Sequence, residues 1–156
     1  MHKEANLMLN EGDPAPNGIE LENQDGELVK LTDYKDKKLV IYFYPKDDTP
    51  GCTTEAKNFR DSIKEYEGKG IIIIGISADS VKSHKKFQTK YDLPFTLLSD
   101  PKKVAANAFG ALENGTVRRR TWLINEQWVI ERAFENVSAS KHNDELCTYY
   151  GIKFPK

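Results

Sequence analysis

The residues with chemistry to offer crowd into one junction, Tyr44-Pro45-Lys46-Asp47-Asp48-Thr49-Pro50-Gly51-Cys52-Thr53-Thr54-Glu55. Thr49 is a favoured type for the residue that caps a helix. Pro50 suits the first helical position, where its missing N–H costs nothing. That spacing puts Cys52 in the first turn, where unpaired backbone N–H groups and the helix dipole favour an anion. Cys52 is also in phase with Ala56, Phe59, Ile63 and Tyr66, which directs its sulfur towards a sheet and into a pocket. A thiol so placed, after a buried strand, is the arrangement of an activated nucleophile. Asp47, Asp48 and Glu55 oppose it, because nearby negative charge disfavours a thiolate unless a cation compensates.

Arginines supply the candidate cation. Arg118, Arg119 and Arg120 lead into an apolar segment from Thr121 to Ile124, and strand alternation sends Arg119 to the opposite face from its two neighbours. Taken alone, such a run is more often a solvated edge. Several thiol chemistries are excluded by spacing. A disulfide oxidoreductase needs C-x-x-C, and Glu55 stands where its second cysteine belongs. A phosphatase loop needs an arginine six residues after the cysteine, and Asn58 is there. A Cys–His hydrolase requires His84 or His142 to reach the pocket. The two cysteines, Cys52 and Cys147, and three scattered histidines show no metal-ligand spacing, so no metal site is expected.

The elements that must hold this junction follow from periodicity. Ile19 to Leu21 and Leu28 to Leu31 alternate around Asp25-Gly26, which reads as a β-hairpin. Leu39 to Tyr44 is a continuous apolar run, as expected of a strand buried on both faces. The helix carrying Cys52 should run through Tyr66 and stop at Gly68 and Gly70. Ile71 to Ile76 is a second buried strand, and Asp79-Ser80 opens a helix to Tyr91 on which His84, Phe87 and Tyr91 share a face. Phe95 to Leu98 reads as a short strand. Ser99-Asp100-Pro101 opens a short helix, with the proline at its first position. Asn114-Gly115 turns the chain, Thr121 to Ile124 pairs with Trp128 to Phe134, and a last helix spans about 140 to 150. Strands separated by helices need crossovers, so the expectation is a three-layer α/β fold with a mixed sheet and an N-terminal hairpin. A thioredoxin-like arrangement satisfies this order. Neither GxGxxG nor GxxxxGK[ST] supports a nucleotide fold.

The chain has 156 residues, which suggests one domain spanning 1–156. Its 23 basic and 24 acidic side chains nearly cancel, so charge gives no reason to bind nucleic acid or an anionic membrane. No apolar run reaches the roughly 18 residues of a membrane helix. Met1 to Leu7 forms no signal-peptide core and Phe154-Pro155-Lys156 no retention signal, so a cytoplasmic location is expected.

The segment VIYFYPKDDTPGCTTEAKNFRD closely resembles the active-site signature of peroxiredoxins of the bacterioferritin comigratory protein, or Q, type. The similarity extends to GDPAP, NQDGELVKLTDY, GISADSVKSHKKF, LPFTLLSDP and RRTWLIN, nearly the whole chain. The resemblance implies a thioredoxin-like fold and thiol-dependent reduction of hydrogen peroxide and organic hydroperoxides. No cofactor is implied, only an external thiol reductant such as a thioredoxin-like protein or a small thiol. The family's peroxidatic cysteine falls on Cys52, and its P-x-x-x-T-x-x-C motif falls on Pro45 and Thr49. Its active-site arginine falls on Arg119, with Trp122 in the aromatic place, and Glu55 matches the carboxylate that orients the arginine. A monomer or weak homodimer is expected.

These residue types make chemical sense by themselves. A thiolate must attack one peroxide oxygen while the other leaves with negative charge. For a general thiol, a pKa fall from about 8.5 to about 6 raises the thiolate fraction at pH 7 roughly 30-fold. Lower nucleophilicity takes back about 13-fold of that. Most acceleration must therefore come from donors that stabilise the developing charge, the work assigned to Arg119 and the Thr49 hydroxyl, with Pro45 keeping water from the sulfur. Many members of the type carry a resolving cysteine five residues after the first, where this chain has Lys57. Resolution is then left to an external thiol or to Cys147, the less favoured resolver, which lies near the apolar face of the last helix. The second class kept open is a redox sensor or binding protein whose Cys52 oxidises without efficient turnover.

Overall fold

The computed structural model describes residues 8–153, so His2 and the terminal segments read above for targeting signals lie outside the described residues. The central element is β3 (Lys38–Phe43), the apolar run before the Cys52 junction. It pairs in parallel with β4 (Ile71–Ser77), which pairs in parallel with β5 (Thr96–Ser99). On the other side β8 (Arg120–Ile124) runs antiparallel to β3, and β9 (Ile130–Phe134) antiparallel to β8. The expected hairpin is β1 (Glu20–Asn23) and β2 (Leu28–Lys30), with Glu20 opposite Lys30. Its turn is closed by the Asn23 side chain, which accepts from the Asp25 and Glu27 N–H groups. The hairpin joins the sheet beside β5, giving one mixed seven-stranded sheet in the order β2-β1-β5-β4-β3-β8-β9. A separate ribbon, β6 (Leu112–Glu113) and β7 (Thr116–Val117), is closed by Asn114-Gly115.

Alternation along β3 divides the core into two layers. Leu39, Ile41 and Phe43 face a cluster with Trp122, Ile124 and the short helix α4 (Val104–Phe109). Val40, Tyr42 and Tyr44 face the other cluster, built by α1 (Pro50–Asp61), α2 (Ile63–Gly68), α3 (Val81–Tyr91) and α5 (His142–Tyr150). Helices on both faces of a mixed sheet make the thioredoxin-like three-layer architecture that the order of elements implies. Among the described residues no helix is long and apolar enough to cross a membrane.

Three local expectations change. The single helix from Cys52 to Tyr66 is two helices, broken at Ser62 (φ −108°, ψ 8°). Ser62 N–H bonds back only three residues to Phe59, and its hydroxyl accepts from Asn143 on α5, so a buried long-range contact bends the chain. Pro101 does not open α4. Asp100 does the capping from further back, accepting from Val104 N–H at 2.8 Å and Ala106 N–H at 2.9 Å. Trp128 has φ +64° and lies in the turn before β9 rather than in the strand.

Candidate active site

Strand β3 delivers the chain to the loop Tyr44–Thr49, and α1 starts at Pro50 as its proline predicts. Thr49 takes the extended capping conformation, but its hydroxyl caps no N–H. Instead it donates to the Lys46 carbonyl at 2.8 Å, closing the turn. With its proton committed there, the hydroxyl offers lone pairs and not the donor that the sequence suggested. Cys52 occupies the third residue of α1 and is 2% exposed. The first-turn N–H groups near it receive no side-chain cap from Thr49.

The three arginines, of which Arg120 opens β8 and the other two precede it, diverge as expected. Arg120 turns to the α4 side and donates to the Gly110 carbonyl, while Arg118 stays exposed near Glu113. Arg119 turns to the helix side. Its Nη1 lies 3.4 Å from Cys52 Sγ and 2.7 Å from Glu55 Oε1. Glu55, one turn beyond Cys52 on α1, is itself buried. Burial pushes its carboxyl up to about 7, a rise that Arg119 opposes by charge and hydrogen bond. Its second oxygen, Oε2, has no hydrogen-bond partner among the described residues. The guanidinium thus ties the sulfur to a fixed carboxylate, and Glu55 raises the Arg119 pKa in turn, against the lowering effect of burial.

The other two carboxylates of the junction are engaged with partners on α3 and in the loop. Asp48, at φ +57°, turns outward to Lys90 Nζ and the Tyr91 hydroxyl, each at 2.8 Å. The Lys90 contact holds its carboxyl below the usual range. Asp47 is buried against α3. It accepts from the Tyr44 hydroxyl at 2.6 Å and the Ser83 hydroxyl at 2.8 Å, and its Oδ2 meets His84 Nδ1 at 2.7 Å. His84 Nε2 faces the Leu98 carbonyl, an acceptor only, so Nε2 carries a proton.

His84 is therefore a packed structural residue and makes no contact with Cys52. His142 is engaged elsewhere too, its Nε2 meeting the Thr121 hydroxyl at 2.9 Å and its Nδ1 Glu145 at 3.0 Å. Neither histidine forms a nucleophile–base pair with the thiol. Asp47, Asp79 and His84 bring ligand atoms within 4.8 Å of one another, the one such group among the described residues. Those atoms are engaged with Tyr44, Ser77, Ser83 and each other, which leaves no donor set aimed at an ion.

Pro45 is exposed at the rim of the site and, with Arg119, lines an open cavity of about 650 Å³ bounded also by Val117, Asn136 and Val137. Trp122 packs on the opposite face of the sheet against Phe43 and Phe109. Cys147 is buried in α5, 3.7 Å from both the Tyr66 hydroxyl and Asn143 Oδ1. Asn143 in turn donates to Ser62, at the far end of α1. The ten residues from Cys52 to Ser62 span about 15 Å of helix, far beyond disulfide reach. Burial raises the Cys147 pKa. The Ser62–Asn143–Tyr66–Cys147 network had no local signal in the sequence, since its members meet only through tertiary packing.

The chain is similar to known proteins over most of its length. The model of the AhpC/TSA family matches residues 12–133. Peroxiredoxin Bcp of Bacillus subtilis (strain 168) is 42% identical over 139 residues, covering 84% of this chain and 88% of that protein. Among solved structures, a cysteine-to-serine mutant of PrxQ from Xylella fastidiosa superposes with a TM-score of 0.89 at 30% identity, covering 93% of this chain and 97% of that one. The bacterioferritin comigratory protein of Xanthomonas campestris, studied for its alkyl peroxide reduction activity, gives a TM-score of 0.83 at 31% identity over 89% of this chain and 98% of its own.

Proposed function

Since the chain belongs to the AhpC/TSA family, as a thiol peroxidase of the Bcp or Q type, we propose that Cys52 is its peroxidatic nucleophile and that Arg119 and Glu55 organise the reaction. The observation that carries this reading is the 3.4 Å approach of Arg119 Nη1 to Cys52 Sγ at the start of a helix, with Glu55 fixing the guanidinium from behind. The Cys52 thiolate attacks the near oxygen of a hydroperoxide, ROOH. The O–O bond breaks, the sulfur becomes a sulfenic acid, and the departing RO⁻ takes a proton from solvent to leave as ROH. As charge moves from sulfur to oxygen, Arg119 and the uncapped N–H groups of the first turn are in place to meet it. Thr49 holds the turn through Lys46 and accepts a hydrogen bond from the peroxide. Pro45 walls the opening.

The substrates we propose are hydrogen peroxide and small organic hydroperoxides, in keeping with the alkyl peroxide activity of the Xanthomonas relative. The sulfenic acid condenses with an external thiol, releasing water, and a second thiol frees Cys52 as the pair leaves as a disulfide. A thioredoxin-like protein or a small thiol serves as reductant, and no prosthetic group takes part. Cys147 is not the resolver in this reading, because it is buried at the wrong end of α1. We further propose one domain over residues 1–156, a monomer or weak homodimer, and a cytoplasmic setting. Steady peroxide consumption with a thiol reductant, abolished by Cys52→Ser, is the expected result. A single round of oxidation without recycling would return the protein to the sensor class.

A further inference from the structure

Gly51, the second residue of α1, lies against the guanidinium of Arg119. Its φ is outside the left-handed region, so its backbone conformation does not call for glycine. A helix interior also favours alanine over glycine, which leaves local structure with no reason for the choice. The reason is space. A Cβ built on Gly51 would stand 3.0 Å from Arg119 Nη2 and 3.8 Å from its central carbon. The next neighbour, Ala139 Cβ at 3.7 Å, is at ordinary contact distance. Any side chain at position 51 therefore presses on one partner, the far end of a flexible arginine. The fold can absorb that, because the guanidinium moves aside at little cost. The site cannot, because the same guanidinium holds the 3.4 Å contact to Cys52 and the 2.7 Å contact to Glu55.

We infer that Gly51 is a positioning residue: its missing side chain is the seat that keeps Arg119 over Cys52. This rests on the reading of Cys52 and Arg119 given above. The Gly51→Ala change displaces the guanidinium by a few tenths of an ångström, and Gly51→Val, whose methyl groups reach further, displaces it by on the order of 1 Å. A misplacement of about 1 Å costs about 100-fold in rate, which scales to about 3- to 5-fold for the smaller shift.

The experiment measures three quantities for wild type, Gly51→Ala and Gly51→Val. These are the melting temperature, the rate of Cys52 alkylation by iodoacetamide, and the rate of Cys52 oxidation by hydrogen peroxide. The expected result is a melting temperature for Gly51→Ala equal to or above wild type, alkylation within about twofold, and graded losses in peroxide oxidation of about 3- to 5-fold and about 100-fold. In an Arg119→Met background, Gly51→Ala should cause no further loss, since it acts through the arginine. Wild-type-like oxidation in both variants overturns the inference and leaves the peroxidatic reading standing. Equal losses in alkylation, oxidation and stability also overturn it, by making Gly51 merely structural. Slow oxidation of the wild type itself would remove the peroxidatic reading and this inference together.

Discussion

Replacing Arg119 by methionine separates an arginine that acts on the reaction from one that merely helps ionise the thiol. At 3.4 Å, the separation of Nη1 and Sγ, two unit charges attract by about 5 kcal/mol in an effective dielectric of about 20. That attraction already acts on the ground-state thiolate, so most of it cannot appear as acceleration. Only the part that grows as charge moves onto the peroxide oxygens lowers the barrier. A single preorganised donor of that kind contributes about 10²- to 10³-fold. The ionisation route is narrower, because a thiol gains about 30-fold in thiolate at pH 7 from a fall of 2.5 pKa units, roughly, and loses most of it again in nucleophilicity. Arg119→Met is therefore expected to slow oxidation of Cys52 by hydrogen peroxide about 100- to 1000-fold. Alkylation by iodoacetamide needs the thiolate but places no charge between two oxygens, so it should fall less than about tenfold. Quenched-flow sampling with intact-mass detection reads both reactions on one instrument. The variant should remain folded, because Glu55, already pushed up to about 7, accepts a proton once its partner is gone. Equal losses in the two reactions would refute the argument and reduce Arg119 to a thiol activator.

Glu55 should titrate visibly. Infrared difference spectra between wild type and Glu55→Gln should show a carboxyl losing its proton near pH 7. Its folded value lies above the ordinary 4.5, so the folded chain holds this proton more tightly and stability falls as pH rises from about 4.5 to about 7. The loss amounts to about 3 kcal/mol, and Glu55→Gln should flatten that part of the stability curve. Thr49→Val removes the hydrogen bond to the Lys46 carbonyl and should slow peroxide oxidation by at least about fivefold, the rate equivalent of about 1 kcal/mol. Thr49→Ser, which keeps the hydroxyl, should stay near wild type in the same assay. Asp47→Ala strands Tyr44, Ser83 and His84 together in the core, and chemical denaturation should record a loss of about 3–5 kcal/mol.

What the sequence disclosed was whatever local spacing encodes. Proline and cysteine two residues apart announced a helix start with a thiol in its first turn, and the structure holds Cys52 there. Strand alternation picked Arg119 out of three consecutive arginines, because a period of two assigns faces without knowledge of what lies opposite. The three-layer fold with a mixed sheet followed from apolar runs long enough to need burial on both faces and from the helices between them. What stayed hidden depends on partners distant in sequence. Asp47 looked like a charge beside the thiol until His84, 37 residues away, took its carboxylate. Ser62 looked like mid-helix filler until Asn143, 81 residues on, reached it and broke the helix. Thr49 was legible as a capping residue but not in its hydroxyl direction, which a turn carbonyl decides. Gly51 gave a faint signal, a glycine where alanine would build a better helix, and only the position of Arg119 explains it.

In the proposed cycle Cys52 reacts with peroxide and Cys147 takes no part. Intact mass under non-reducing conditions, seconds after mixing reduced protein with equimolar hydrogen peroxide, tests both halves at once. The expected product carries one added oxygen on Cys52, with Cys147 still open to alkylation. Loss of two hydrogens with Cys52 joined to Cys147 would contradict the one-cysteine cycle, and an unchanged mass would contradict the peroxidatic role of Cys52 altogether.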